Sequence, residues 1–189
     1  PRHLKNGLAE MLKHGLILNE SYWASLSKKN ADAIGTSDIY LSIEMKNKVV
    51  QKDPEEKGIR KILNFGHTIG HAIESYGLQP NNFPVLLHGE AVAIGLLIEC
   101  IISTQKLNLP NTTTNAVYAC INKYFELPRF TDEAITYMLG TMQHDKKNFD
   151  ARIQAVLLQE IGKPVYNQAL STSDIRNAIE VYHKLYADN

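Results

Sequence analysis

An apolar run from Ala91 to Ile102, interrupted only by Glu99, sets the strongest limit on the fold of this chain. The run is well short of the roughly 20 residues that a helix needs to span a bilayer. Together with its flanks it predicts a long apolar helix over residues 89–104. We therefore expect a globular domain with a real hydrophobic core.

Apolar residues recur at helical spacing along much of the remaining chain. The stripes are Leu4, Leu8, Met11 and Leu12; Ile39, Ile43 and Val50; and Phe65, Ile69, Ala72, Ile73 and Tyr76. Further helices are predicted over residues 111–125, 132–142 and 173–186, and a loop over 77–84. A strand pattern over 152–158, followed by a Gly-Lys-Pro turn, predicts a small hairpin near 152–166. The prediction is one mainly α, multihelical domain spanning residues 1–189.

Composition excludes several classes of protein. The chain has 189 residues, and its 20 Lys+Arg balance its 20 Asp+Glu, so no basic excess points to a nucleic-acid or membrane partner. Cys100 and Cys120 lie in apolar stretches and are expected to be reduced core residues of a cytoplasmic protein. No secretion signal is predicted. The chain opens with Pro1, not Met, and is expected to be a piece of something longer.

Nucleotide-binding motifs are also missing from the sequence. Neither a G-x-G-x-x-G after a strand nor a P-loop is present, so the chain is not expected to cradle a nucleotide by itself. Gly66 and Gly70 lie four residues apart within a predicted helix. Their spacing favours close helix packing over phosphate binding.

The segment NFGHTIGHAIE carries the strongest concentration of reactive side chains. At 100° per residue, Asn64, His67, His71 and Glu74 fall within about 80° of one another, opposite the apolar stripe. Two imidazoles one turn apart are typical of metal-binding helices, although a solvated polar face has the same pattern. The absence of H-E-x-x-H argues against a zincin protease.

Two further residues are candidate metal ligands. His88 should stand near the start of the long apolar helix, either as a capping histidine or as a third ligand facing His67. Glu10 is the natural carboxylate candidate, but its spacing from Lys13 is also that of an ordinary surface ion pair. From spacing alone, the surface pair is favoured.

Several cations are candidates for binding an anionic oxygen. Lys46 falls on the stripe with Ile39 and Ile43, which is expected to face inward, so its ammonium should face a polar cleft or snorkel. Arg60 lies one turn before Asn64, and a guanidinium beside an amide suits phosphate or carboxylate. The lysines of MQHDKKN, Lys146 and Lys147, have the pattern of ordinary surface charge.

Five segments, in order, resemble the C-terminal, metal-binding domain of the 3-dehydroquinate synthase family. They are GLAEMLKHGLI, KNKVVQKDPEEKGIRKILNFGHTIGHAIE, LLHGEAVAIGL, MQHDKKN and AVLLQEIGKP. The resemblance covers nearly the whole chain. It implies the helical fold of that domain, with the N-terminal domain that binds most of NAD absent from this sequence.

The resemblance also implies a function. Members convert 3-deoxy-D-arabino-heptulosonate 7-phosphate to 3-dehydroquinate and phosphate in the shikimate pathway of aromatic amino-acid biosynthesis. They use catalytic NAD and one zinc or cobalt ion, and are commonly cytoplasmic homodimers. This chain alone is expected to be inactive.

The family's functional positions map onto named residues here. The implied metal ligands are Glu10, His67 and His88. The implied substrate and phosphate contacts are Lys13, Lys46, Arg60, Asn64, His71, Lys146 and Lys147. The implied catalytic residues are Glu56, His71 and Lys46, the first two in acid–base roles.

Three alternatives stay open at this stage. Another sugar-phosphate cyclase, such as a 2-deoxy-scyllo-inosose synthase, would share the metal set and differ in substrate. A glycerol-dehydrogenase-type oxidoreductase would produce NADH. A non-catalytic helical interaction domain would bind no metal and would tolerate changes at Glu10 and His67.

Overall fold

The computed structural model describes residues 2–79, 85–143 and 152–187, except for the side chains of 3, 4, 186 and 187. The helices are α1 (Arg2–Leu18), α2 (Glu20–Leu26), α3 (Thr36–Lys52), α4 (His67–Gly77), α5 (His88–Leu107), α6 (Asn111–Tyr124), α7 (Asp132–Gln143) and α8 (Thr172–Ala187). Short 3-10 helices cover Ala31–Ala33 and Ile59–Asn64, and the strands are β1 (Ile153–Glu160) and β2 (Lys163–Leu170). The predicted mainly α fold with one hairpin is confirmed.

Helix α5 forms the centre of the domain. Its residues from Ala91 to Ile102 are all buried, Glu99 among them, because α1, α4, α6, α8 and β1 pack around it. A helix that is apolar on every side is stable in water only when it is enclosed in this way. Among the described helices, none has the length and apolarity that a membrane crossing requires. Cys100 and Cys120 are buried free thiols, as predicted.

The closest packing in the core joins α4 to α5. A Cβ atom at Gly95 would lie 2.0 Å from the carbonyl oxygen of Gly66, and one at Gly70 would lie 3.0 Å from the Cα of Val92. The expected role of Gly66 and Gly70 in close packing is therefore confirmed. One detail of the prediction was wrong, because Gly66 precedes α4 and has a left-handed φ of +79°.

The hairpin packs on α5 and adds buried residues to the core. Strands β1 and β2 pair antiparallel from Ile153 opposite Leu170 to Glu160 opposite Lys163. The turn between them uses Gly162 at a φ of +81°, a conformation that glycine adopts at little cost. The N–H of Gly162 donates to the carbonyl oxygen of Leu16 at 2.8 Å, which fixes the hairpin to α1.

The predicted inward stripe of α3 was wrong. Ile39 and Ile43 are 46% and 53% exposed, and the buried side of the helix instead carries Asp38, Ser42 and Val49. The physical reason is that the polar residues on this side have tertiary partners, which the sequence pattern does not show. Ser42 Oγ lies 2.7 Å from Nδ1 of His14, a hydrogen bond between α3 and the buried side of α1.

The carboxylate of Asp38 provides a pH-dependent anchor at the start of α3. Its oxygens accept from Lys29 Nζ at 2.6 Å and from the N–H of Gly35 at 2.9 Å. These two hydrogen bonds hold the pKa of Asp38 below its ordinary value. A carboxyl group whose pKa is lower in the folded state stabilises the fold at pH values above its ordinary pKa. This stabilisation is lost as the pH falls through the lowered pKa.

We predict that Asp38→Asn lowers the free energy of unfolding by about 1–2 kcal/mol at pH 7, because the charged hydrogen bond to Lys29 is lost. The difference from the parent chain should shrink as the pH falls from about 5 toward 3. Urea unfolding at several pH values measures this. A difference that stayed constant across that range would contradict the assignment.

Candidate metal centre

Three helices bring imidazoles and a carboxylate together. His67 is the first residue of α4, His88 is the first residue of α5, and Glu10 lies in the middle of α1. The ring centroids of His67 and His88 are 5.4 Å apart, and that of His71 lies 5.3 Å from His67 and 5.6 Å from His88. One ligand nitrogen from each ring lies within 4.8 Å of the others. The structure thus brings together the three histidines named by the sequence analysis.

Glu10 faces the same centre. Its Oε1 lies 3.4 Å from Nε2 of His67 and, although buried, has no hydrogen-bond partner among the described groups. Its Oε2 accepts from Lys13 Nζ at 2.9 Å. A buried carboxylate oxygen with no partner is costly, and a divalent cation between Glu10 and His67 would remove that cost. The donor set therefore fits a metal ion. The pair of Glu10 and Lys13 is present, but the expectation that it lies at the surface was wrong, because Lys13 is only 2% exposed.

Hydrogen bonds orient two of the histidines for binding a metal. Nδ1 of His67 lies 3.2 Å from the carbonyl oxygen of Phe65, and Nδ1 of His88 lies 3.0 Å from Oε2 of Glu74. When an acceptor holds the proton on Nδ1, the lone pair of the neutral ring is on Nε2. Metal-binding histidines usually have such a partner. The side chain of His88 is 43% exposed, so the centre opens to solvent on that side.

Burial and the ammonium of Lys13 keep His67 and Glu10 in the charge states that a metal needs. Burial, aided by the charge of Lys13, lowers the pKa of His67 to about 4. Burial acts to raise the pKa of Glu10, but the ammonium of Lys13 outweighs it and the net direction is down. A neutral imidazole beside an ionised carboxylate is the state in which both bind a cation.

A fourth histidine lies behind the centre. His14 is buried, and its pKa is lowered to about 4 by burial and by Lys13. Its Nε2 lies 3.9 Å from Oε2 of Glu10 and has no hydrogen-bond partner among the described groups. The sequence analysis assigned His14 no role.

The predicted anion-binding lysines differ in their surroundings. Lys13 is only 2% exposed, and burial lowers its pKa. Lys46 is exposed on α3, so the argument from an inward stripe does not hold for it. Its charge nevertheless acts to lower the pKa of both Lys13 and His14, so the electrostatic influence of Lys46 reaches the residues around Glu10.

A cavity of about 820 Å³ lies next to the histidines. Glu56, Asn64, His67 and His71 are among the residues that line it. Asn64 Nδ2 donates to Oε1 of Glu56 at 2.7 Å, so the two predicted residues form a pair at the wall. Glu56 has a left-handed φ of 57°, an uncommon conformation for a residue with a side chain.

Not every predicted residue reaches this cavity. The guanidinium of Arg60 is held by the carbonyl oxygen of Pro54 at 2.7 Å, and its neighbour Lys61 lines the cavity instead. Sequence reasoning missed Lys61, since no periodicity distinguishes it from the other charges of its loop. Lys146 and Lys147 lie outside the described residues, so their predicted role stays a prediction.

The fold is that of the sugar-phosphate cyclases. A solved 2-deoxy-scyllo-inosose synthase, complexed with carbaglucose-6-phosphate, NAD⁺ and Co²⁺, is 26% identical with a TM-score of 0.74; the match covers 96% of this chain and 52% of that one. The 2-epi-5-epi-valiolone synthase ValA from Streptomyces hygroscopicus subsp. jinggangensis, with NAD⁺ and Zn²⁺ bound, shares the fold at 22% identity. Its TM-score is 0.73, over 97% of this chain and 52% of that one.

Within that class the sequence relationship is specific. Residues 7–148 match the family described as 3-dehydroquinate synthase C-terminal, and the chain belongs to this family. The 3-dehydroquinate synthase of Parabacteroides distasonis is 36% identical over 97% of this chain and 53% of its own length. That of Leptospira interrogans is 38% identical over 94% of this chain and 50% of its own length. The chain therefore spans about half the length of the curated relatives it matches.

Proposed function

We propose that this chain is the metal- and substrate-binding part of a 3-dehydroquinate synthase. The whole enzyme would convert 3-deoxy-D-arabino-heptulosonate 7-phosphate to 3-dehydroquinate and phosphate, in the cytoplasm and within the shikimate pathway. The observation that carries the proposal is the buried Oε1 of Glu10, unpaired among the described groups and 3.4 Å from His67 Nε2. Family membership supports the choice of reaction.

The metal would be zinc or cobalt, one ion per chain. Glu10, His67 and His88 would hold it, since each comes from a different helix and each has a second contact that fixes its orientation. Nitrogen and carboxylate ligands suit either metal. When bound, the ion would supply Lewis acidity at a substrate hydroxyl.

The chain's own residues would then bind and orient the substrate. Lys13 holds Oε2 of Glu10, so the carboxylate can direct its other oxygen to the metal. Lys46, exposed on α3, and Lys61, half-buried at the cavity wall, would neutralise phosphate and carboxylate charge, because the ammonium of lysine is a point charge on a flexible stem. The contact of Lys13 with the substrate stays a prediction, because its ammonium is buried and bonds Glu10. Lys46 is the phosphate contact that the proposal needs most.

Proton transfer is the proposed role of the cavity wall. His71 lines the cavity beside His67, within reach of a substrate bound to the metal. Glu56 accepts from Asn64 there, which fixes its carboxylate at the wall. We assign acid–base roles to His71 and Glu56 and a binding role to Asn64.

The catalytic cycle also needs a hydride acceptor. When bound, NAD would supply reversible hydride transfer, with no net redox change. The proposed source of the NAD site is an N-terminal domain, because the relatives have about twice the length of this chain. The domain described here would be the helical half, and assembly into a homodimer stays a prediction.

The test is a fusion of this chain to the N-terminal half of the Parabacteroides distasonis relative, assayed with zinc and NAD⁺. We expect 3-dehydroquinate and phosphate in equal amounts, no accumulation of NADH, and no turnover by the chain alone. Turnover by the isolated chain would contradict the need for a second half. Turnover of a hexose 6-phosphate in place of the expected substrate would favour a 2-deoxy-scyllo-inosose synthase.

A lysine pair on α3 provides a matched control for this assay. Lys46→Ala in the fusion is expected to lower kcat/KM by about 100-fold or more, as loss of one charge-stabilising donor does. Lys48, which pairs with Glu44 at 2.7 Å, is an exposed lysine half a turn away, and Lys48→Ala should leave the rate unchanged. Equal rates for both variants would remove Lys46 from the proposed site.

A further inference from the structure

Helix α4 begins without a capping side chain of its own. The residue before it is Gly66, and the first N–H groups of any helix lack partners within the helix. The missing acceptor comes from the neighbouring helix. Oε2 of Glu99, on α5, accepts from the N–H of Gly66 at 2.7 Å. The N–H groups of Thr68 and Ile69 also stabilise the charged form of Glu99.

Packing leaves no room for a local cap. A Cβ atom at position 66 would lie 2.7 Å from Cδ2 of Leu96, and the φ of +79° disfavours any residue with a side chain. An N-cap serine or aspartate at this position is therefore excluded. The acceptor has to be supplied by α5, and the close approach at Gly95 brings α5 near enough to do so.

A glutamate is unfavourable in a hydrophobic core unless its carboxyl group has a hydrogen-bonding role, such as capping α4. It is 0% exposed in the middle of the apolar helix, and its Oε1 has no hydrogen-bond partner among the described groups. Burial raises its pKa to about 8. The positive charge of Lys13, whose ammonium bonds Glu10, acts to lower the pKa of Glu99 but does not outweigh burial. An apolar residue of similar volume would cost less than a buried acid with one unpaired oxygen.

The residue that this contact fixes is His67. His67 follows Gly66 directly and is the first residue of α4. Because Glu99 holds the N–H of Gly66, it fixes the backbone from which the imidazole of His67 projects. His88 is the first residue of the helix that carries Glu99. One buried carboxyl group thus ties together the two helix starts that present histidines to the centre.

We propose that Glu99 is a positioning residue for the metal centre: its carboxyl group caps the first turn of α4 and holds His67 in place for metal binding. The proposal rests on the proposed function for its metal-binding consequence. Its structural part, the capping of α4, is testable without any metal.

The metal test uses the full chain with cobalt as the probe. We expect Glu99→Leu to weaken Co²⁺ binding by about 10–100-fold, the usual effect of removing an outer partner of a ligand, and to alter the visible spectrum of bound cobalt. Glu99→Gln should bind cobalt with the parent spectrum, because its amide oxygen can accept from the N–H of Gly66. If Glu99→Gln keeps the parent spectrum, position 99 needs a hydrogen-bond acceptor and not a negative charge.

Ser103 provides a matched control on the same helix. It is buried one turn after Glu99, and its Oγ donates to the Glu99 carbonyl and accepts from the N–H of Leu158. Ser103→Ala is expected to lower stability without changing the cobalt spectrum, since the hydrogen bonds of its hydroxyl group join α5 to β1 and not to α4. A spectrum for Glu99→Leu that matches the parent, or a Ser103→Ala spectrum that changes as much, would overturn the proposal.

A measurement without metal tests the capping role of Glu99 independently of the proposed metal-binding function. Amide hydrogen exchange in residues 66–69 is expected to quicken in Glu99→Leu and to stay near the parent rate in Glu99→Gln. Absence of cobalt binding by the parent chain would refute the metal centre, and the exchange result would then decide the capping role alone. Unchanged exchange in Glu99→Leu would overturn the capping role whatever the metal result.

Discussion

Gly95→Ala is expected to lower the free energy of unfolding by about 3 kcal/mol or more, and to leave part of the chain unfolded at 25 °C. The added Cβ would lie 2.0 Å from the carbonyl oxygen of Gly66 and 2.9 Å from the N–H nitrogen of Gly70. Both are backbone atoms, so no side chain can rotate to relieve the clash. Helices α4 and α5 would have to separate, and the start of α4 carries His67.

Urea unfolding followed by circular dichroism measures this loss. Gly140→Ala is the matched control, because Gly140 lies within α7 and a Cβ there would meet nothing within 4 Å. This second variant should gain about 0.4–1 kcal/mol, through the lower entropy of its unfolded state. A Gly95→Ala chain within 1 kcal/mol of the parent would show that the two helices are not packed as described.

Loss of one metal ligand is the second large effect that we expect. Glu10→Gln, His67→Ala and His88→Ala should each bind zinc more than about 100-fold more weakly than the parent chain, exceeding the usual loss when only an outer partner is removed. His71→Ala should retain zinc to within a few-fold, because its proposed role is proton transfer. Competition with a fluorescent chelator gives the affinities.

Two controls make the ligand test specific. Circular dichroism shows whether each variant keeps its helices, and Glu44→Gln changes a glutamate on α3 that pairs with Lys48 away from the centre. If His71→Ala lost zinc and Glu10→Gln kept it, the ligand set would be the three histidines. The buried Oε1 of Glu10 would then need another explanation.

The sequence predicted the central elements because their periodicity reflects burial directly. The stripe from Phe65 to Tyr76 is buried, and the opposite side of α4 carries His67 and His71, as the 100° rotation per residue requires. The helix predicted over 89–104 extends over His88–Leu107. In both helices the apolar side chains face the core, so the sequence pattern and the fold agree.

The apolar pattern of α3 predicted the wrong buried side, because polar residues of this helix are buried against partners from other segments. Asp38 and Ser42 are buried through bonds to Lys29 and His14, residues that lie outside α3. No helical periodicity can anticipate a buried polar residue whose partner comes from another segment. The exposed Ile39 and Ile43 were assigned to the core for the same reason.

Glu10 shows a different limit of sequence reasoning. Its spacing from Lys13 is that of a surface ion pair, and only the packing of α1 shows Lys13 to be 2% exposed. The role of His88 could not be predicted from spacing for a similar reason, because its nearness to His67 depends on how α4 and α5 pack. The family resemblance named both residues as ligands, whereas spacing alone left them open.

Zinc titration of the unmodified full chain tests the metal centre most directly. We expect one zinc ion per chain, bound more tightly than about 1 μM by chelator competition. The Glu10→Gln/His67→Ala double variant should show no binding at that concentration. Equal, weak binding by the parent chain and the double variant would contradict a metal centre built by α1, α4 and α5.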